Sequence, residues 1–126
     1  MKPEAQALLD HASSKLHAAR VLLAADAPGD AASRAYYAAF HAVSAVLLEA
    51  GQAYSSHAQV LGAFNRDFVH GGAFPREFTA ILGRLFEDRQ TGDYDPVPGL
   101  EPAAAAQDVA DAQRIVEAIS ARLQQG

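Results

Sequence analysis

Apolar positions along the chain recur every three or four residues, and no segment alternates with period two for the length of a strand. Leu9, Ala12, Leu16, Ala19 and Leu23 make one stripe and predict a helix from Pro3 to about Ala25. Pro3 suits the first helical position, where no N–H is needed. Asp26 to Asp30 reads as a turn, and a second helix is expected over about Ala31 to Ala50. Its stripe is Tyr36, Phe40, Val43 and Leu47, with Tyr37, Ser44 and Leu48 beside it. Gly51 fits the position just past its end. Ser56 and Gln59 have the spacing of a capping box and open a third helix with Val60, Leu61, Phe64 and Phe68 inward. His70-Gly71-Gly72 ends it. Pro75 starts a fourth, with Phe78, Leu82, Leu85 and Phe86 inward, and Thr91-Gly92 closes it. Asp93 to Glu101 holds two prolines and a glycine and reads as a loop. The fifth helix begins near Pro102 and buries Val109, Ala112, Val116, Ile119 and Leu123.

Five helices on short connections predict an all-α fold, an up-and-down four- or five-helix bundle forming a single domain over residues 1–126. Length agrees, since 126 residues suffice for one core. Abundant alanine and sparse Val, Ile and Thr favour helix over sheet. The chain has no cysteine, which excludes disulfides, thiolate metal sites and cysteine nucleophiles. A net charge of −5 argues against gripping nucleic acid by bulk charge, so any RNA contact must be confined to a small cleft. No apolar run is long enough to cross a bilayer, and the start lacks a signal-peptide block. The expected setting is the cytoplasm, with no membrane partner.

The chain carries no phosphate loop, HExxH or EF-hand motif. His11 and His17 diverge by about 120° on their helix, so no metal and no cofactor are expected. Candidate chemistry lies on the second helix. Arg34 and His41 are seven apart, which turns a helix by roughly 700° and puts both side chains on one face, with Tyr37 between them. An arginine holds phosphate and a histidine moves a proton near neutral pH, which suits cleavage of RNA by its own 2′-hydroxyl. The alternative is that His41 is a hydrogen-bonded interior histidine. A second cluster is Arg89-Gln-Thr-Gly-Asp93-Tyr94-Asp95-Pro96. There Arg89 either binds phosphate or complements the helix end and pairs with Asp93 or Asp95, and Tyr94 either orients a substrate or packs on the bundle. His57 reads as an ordinary first-turn residue behind the Ser56 cap.

Three segments together carry a resemblance: Ser33-Arg-Ala-Tyr-Tyr-Ala-Ala-Phe-His-Ala42, then Ser56-His57 with Phe64 and Phe68-Val69, then Arg89-Gln-Thr-Gly-Asp-Tyr94. They resemble the small stand-alone HEPN proteins of bacteria and archaea, over about residues 5 to 120. The resemblance implies a helical bundle, a homodimer, and pairing with a minimal nucleotidyltransferase in a toxin–antitoxin module. It also implies metal-independent ribonuclease chemistry by an arginine and a histidine with four to six residues between, at the dimer interface. In many toxin members that pair closes a late helix. Here the late position reads Arg89, four residues, then Tyr94 in place of histidine. A phenol titrates near 10 and is a poor base at neutral pH. The expected catalytic set is therefore Arg34, His41 and Arg89, with Tyr37, Asp93 and Tyr94 binding substrate or, at Tyr94, receiving a nucleotide from the partner. The alternative function is a non-catalytic helical module that docks a partner protein or a nucleotide.

Overall fold

The computed structural model describes residues 1–94 and 99–125, with the backbone alone at Gly92 and Tyr94. Its helices are α1 (Pro3–Ala24), α2 (Pro28–Glu49), α3 (His57–Phe64), α4 (Glu77–Tyr94) and α5 (Pro102–Gln124), and a π-helical segment, Asn65–Val69, continues α3. No described residue is in a strand. Both α1 and α5 begin with the proline that the sequence places there.

The central element is α2, which contacts each of the other four α-helices. Its alanines make this possible: Ala31, Ala35, Ala38, Ala39, Ala42 and Ala45 are all buried and let neighbouring backbones approach closely. The stripes of α1 and α5 meet it as predicted, and one continuous core draws residues from all five helices. Ser56 caps α3 by accepting from Gln59 N–H, and the Gln59 side chain accepts in return from Ser56 N–H. Gly51, at φ 80°, takes the left-handed position beyond α2.

The start of α4 falls at Glu77, two residues past the predicted Pro75, and three further departures stand out. Helix α2 starts at Pro28, because the turn needs only Ala25 to Ala27, with Asp26 at φ 62° supplying the left-handed residue. Helix α4 runs on through Thr91-Gly92 to Tyr94, so Asp93 and Tyr94 belong to its last turn and not to a loop. The Arg89–Asp93 ion pair, spaced i,i+4, spans that glycine. The third departure is the π segment. His70 N–H donates to Asn65 C=O at 2.8 Å, and the extra residue in the turn brings the neighbours Phe68 and Val69 both onto the core. Gly71 follows because a Cβ there would collide with the Asp67 carbonyl.

Candidate functional site

Arg34, Tyr37 and His41 lie along one face of α2 and line one open cleft of about 420 Å³. Lys15 of α1, Asp30 and Ser33 of α2 and Asp93 of α4 complete its walls. Arg34 is exposed, whereas Tyr37 and His41 are half-buried. Four of the residues singled out from sequence thus share one cavity.

Arg89 sits behind this wall, its side chain 16% exposed. Its Nη2 donates to the Tyr37 hydroxyl at 2.6 Å, and its Nε lies 3.0 Å from Asp93 Oδ2. The guanidinium also stands 5.2 Å from the Tyr37 ring centroid and 5.8 Å from that of Tyr36. Arg89 therefore fixes the Tyr37 hydroxyl and ties the end of α4 to α2. The side chain of Tyr94 and all of Asp95 lie outside the described residues.

Behind Tyr37 lies a layer that the sequence reading missed. Burial pushes the Tyr36 hydroxyl up to about 12, against the pull of Arg89 and with a smaller push from Tyr37. It stays protonated and shares a hydrogen bond of 2.7 Å with His57 Nδ1. The His57 ring stacks on Phe40, with centroids 4.1 Å apart and planes 20° off parallel. His57 is thus no plain first-turn residue: the capping box aims it into the aromatic stripe of α2. Burial, and then the Arg89 charge, hold it below the usual histidine value and keep it neutral. The one sequence signal is its position directly after a strong cap and opposite an aromatic stripe.

His41 is also held below 6.5, by burial first and then by the nearby His11, Lys15 and His57. Near neutral pH its imidazole is uncharged and open to accept a proton. Lys15 and Arg34 supply positive charge at the same cleft, matched in number by Asp30 and Asp93, of which Asp93 is paired with Arg89. Such a cleft can hold a phosphate on its cations and present an imidazole to a neighbouring hydroxyl. Among the described residues no three His, Asp or Glu side chains are grouped to hold a metal ion, and no helix is long and apolar enough to cross a membrane.

A second polar cluster joins α4 to α5. Arg84 Nε donates to Asp108 Oδ1 at 3.1 Å, and Arg84 Nη2 donates to Asp111 Oδ2. Asp108 is fully buried, and its Oδ2 has no hydrogen-bond partner. The sequence reading passed over both acids, although Asp108 and Asp111 fall inside the apolar stripe of α5, between Ala105, Val109 and Ala112.

Helices gathered around an alanine-rich central rod, with a polar cleft along it, define the class: an all-α bundle with a surface site. The HEPN domain matches residues 5–123, and the chain belongs to that family. It is 39% identical over 101 residues to a UPF0332 protein of Thermotoga maritima, covering 80% of this chain and 76% of that one. It is 34% identical over 94 residues to the protein named "Putative toxin MJ0605" of Methanocaldococcus jannaschii, covering 75% of this chain and 70% of that one. A second protein of that organism, "Putative toxin MJ0142", is 31% identical over 94 residues, covering 75% and 64% of the two chains.

Proposed function

We propose that this HEPN protein is the toxin side of a two-component module and cuts single-stranded RNA in the cytoplasm, without a metal, through the cleft on α2. The toxin names of two relatives support the biological half of this reading. The chemical half rests on one observation: Arg34, Tyr37 and His41 line the same open cleft, and burial holds His41 neutral. In this reading Arg34, with Lys15, holds the scissile phosphate. His41 takes the proton from the 2′-hydroxyl, and Tyr37, fixed by Arg89, orients the substrate. Arg89 acts through Tyr37, as a positioning residue.

A homodimer would set two such clefts side by side, and a minimal nucleotidyltransferase would silence the toxin by adding a nucleotide at Tyr94. Co-expression with such a transferase should raise the intact mass by one nucleotide unit, and Tyr94→Phe should abolish the increase. The cleavage itself is tested by incubating wild type, Arg34→Ala and His41→Ala with single-stranded RNA in EDTA. Loss of roughly 10²-fold or more in either variant is expected. Equal cleavage by all three defeats the reading. Harmless expression together with no cleavage would identify a docking module.

A further inference from the structure

His41 has a neighbour that the α2 stripe does not reveal. The ring of His11, reaching across from α1, lies 5.7 Å from it between centroids and tilted by 39°. His11 is exposed, whereas His41 is half-buried. Lys15 stands one turn beyond His11 on the same face of α1 and lines the His41 cleft. His11 itself lines a second open depression of about 370 Å³, with Ala7, Asp10 and Ser14. Each imidazole thus lines its own open depression, and with the rings 5.7 Å apart a strand lying across both would place one phosphate beside the pair.

We propose that His11 and His41 form an acid–base pair within one chain, with His11 a further catalytic residue in the ribonuclease reading above, on which this rests. Neutral His41 removes the proton from the 2′-hydroxyl. The 2′-oxygen attacks phosphorus, the O2′–P bond forms and the P–O5′ bond breaks. His11 gives its proton to the departing 5′-oxygen. The products are a 2′,3′-cyclic phosphate and a 5′-hydroxyl. One proton has moved from substrate to His41 and one from His11 to product, and exchange with water resets both rings. No oxidant, metal or cofactor is consumed.

Geometry assigns the roles. Each proton transfer needs a contact of roughly 3 Å, and two such contacts to oxygens on one phosphorus put the ring nitrogens on the order of 6 Å apart. The ring centroids stand 5.7 Å apart, a separation at which a nitrogen on each ring can reach a different oxygen of one phosphate. The half-buried ring is the one that burial keeps neutral, as a base requires, and the His11 ring is open to solvent.

The test compares wild type, His11→Gln and His41→Gln in EDTA on two RNA oligonucleotides. One is ordinary, and the other carries sulfur in place of the 5′-bridging oxygen at the cleavage point. A thiolate departs without a proton, so it no longer needs the acid. On ordinary RNA both variants should lose roughly 10²- to 10⁴-fold. On the sulfur substrate His11→Gln should return to near the wild-type rate, while His41→Gln stays slow. Circular dichroism melts of both variants confirm that each is folded. If folded His11→Gln cleaves ordinary RNA like wild type, or stays slow on both substrates, the His11 proposal is wrong while the His41 site stands. If wild type cuts neither substrate, both fall.

Discussion

Asp108→Asn isolates a charge that the fold holds at a cost. Asp108 is 0% exposed, and only its Oδ1 has a hydrogen-bond partner, Arg84. Burial above all, and then the neighbouring Asp88 carboxyl, push it up from 3.8 to about 7, against the opposing pull of Arg84. At 1.36 kcal/mol for each tenfold change, ionising it in the folded chain costs about 4 kcal/mol. For an acid whose folded pKa is raised, the folded chain keeps a proton that the unfolded chain releases. Its contribution to stability is therefore greatest below about pH 4, falls as pH rises, and levels off above about 7. Roughly a third of the loss has already occurred at pH 5, so about 3 kcal/mol separates pH 5 from pH 8. Asparagine keeps an oxygen for Arg84 and carries no charge. Urea denaturation of both proteins should show Asp108→Asn gaining about 3 kcal/mol over wild type between pH 5 and pH 8. His41 and His57, held below 6.5, erode stability as pH falls, but they do so in both proteins and cancel in the difference. A difference that is flat with pH, or one that shrinks as pH rises, refutes the reasoning. It would mean that Arg84 compensates an ionised Asp108 fully.

Further predictions concern the layers behind the cleft. Tyr36→Phe leaves His57 Nδ1 without its 2.7 Å hydrogen-bond partner and should lower stability by about 1–3 kcal/mol in a thermal melt. In an ultraviolet titration of wild type, one tyrosine should stay protonated until about pH 12, and Tyr36→Phe should remove that step. Ser56→Ala breaks the capping box and should cost about 1 kcal/mol by denaturant melt. The variant should also loosen the His57–Phe40 stack, seen as a shift in the His57 ring resonances. The NMR midpoint of His41 should fall below 6.5, and Lys15→Met should move it upward. A midpoint at or above 6.5 contradicts the assigned burial.

The helices were legible because each carries its own 3.6-residue stripe, as Leu9, Ala12 and Leu16 do on α1. Their ends were less so. Pro28 opens α2 at the first helical position, as Pro3 and Pro102 open α1 and α5, and at Gly92 tertiary contacts overrule propensity: α4 continues to Tyr94 with Arg89 and Asp93 paired across the glycine. The π turn at Asn65–Val69 left no periodic trace, since one inserted residue merely shifts a stripe. At the site, Arg34, Tyr37 and His41 could be placed together because one helix carries all three. His57, His11 and the Arg84–Asp108 pair could not, because each meets its partner across helices, and a helical stripe gives no register between rods. Of the late cluster, the Arg89–Asp93 pair is one of the alternatives the sequence left open, and the hydrogen bond from Arg89 to Tyr37 was new.

The central claim is that the α2 cleft cuts RNA by internal transesterification, and the ends of the fragments report on it directly. A single-stranded RNA oligonucleotide should be digested in EDTA and the fragments weighed by mass spectrometry, beside an identical strand with 2′-deoxyribose at the cut position. Fragments ending in 2′,3′-cyclic phosphate and beginning with 5′-hydroxyl, made by wild type but not by His41→Ala, with the deoxy position left uncut, are the predicted result. Fragments with 3′-hydroxyl and 5′-phosphate ends, or cutting at the deoxy position, would contradict it.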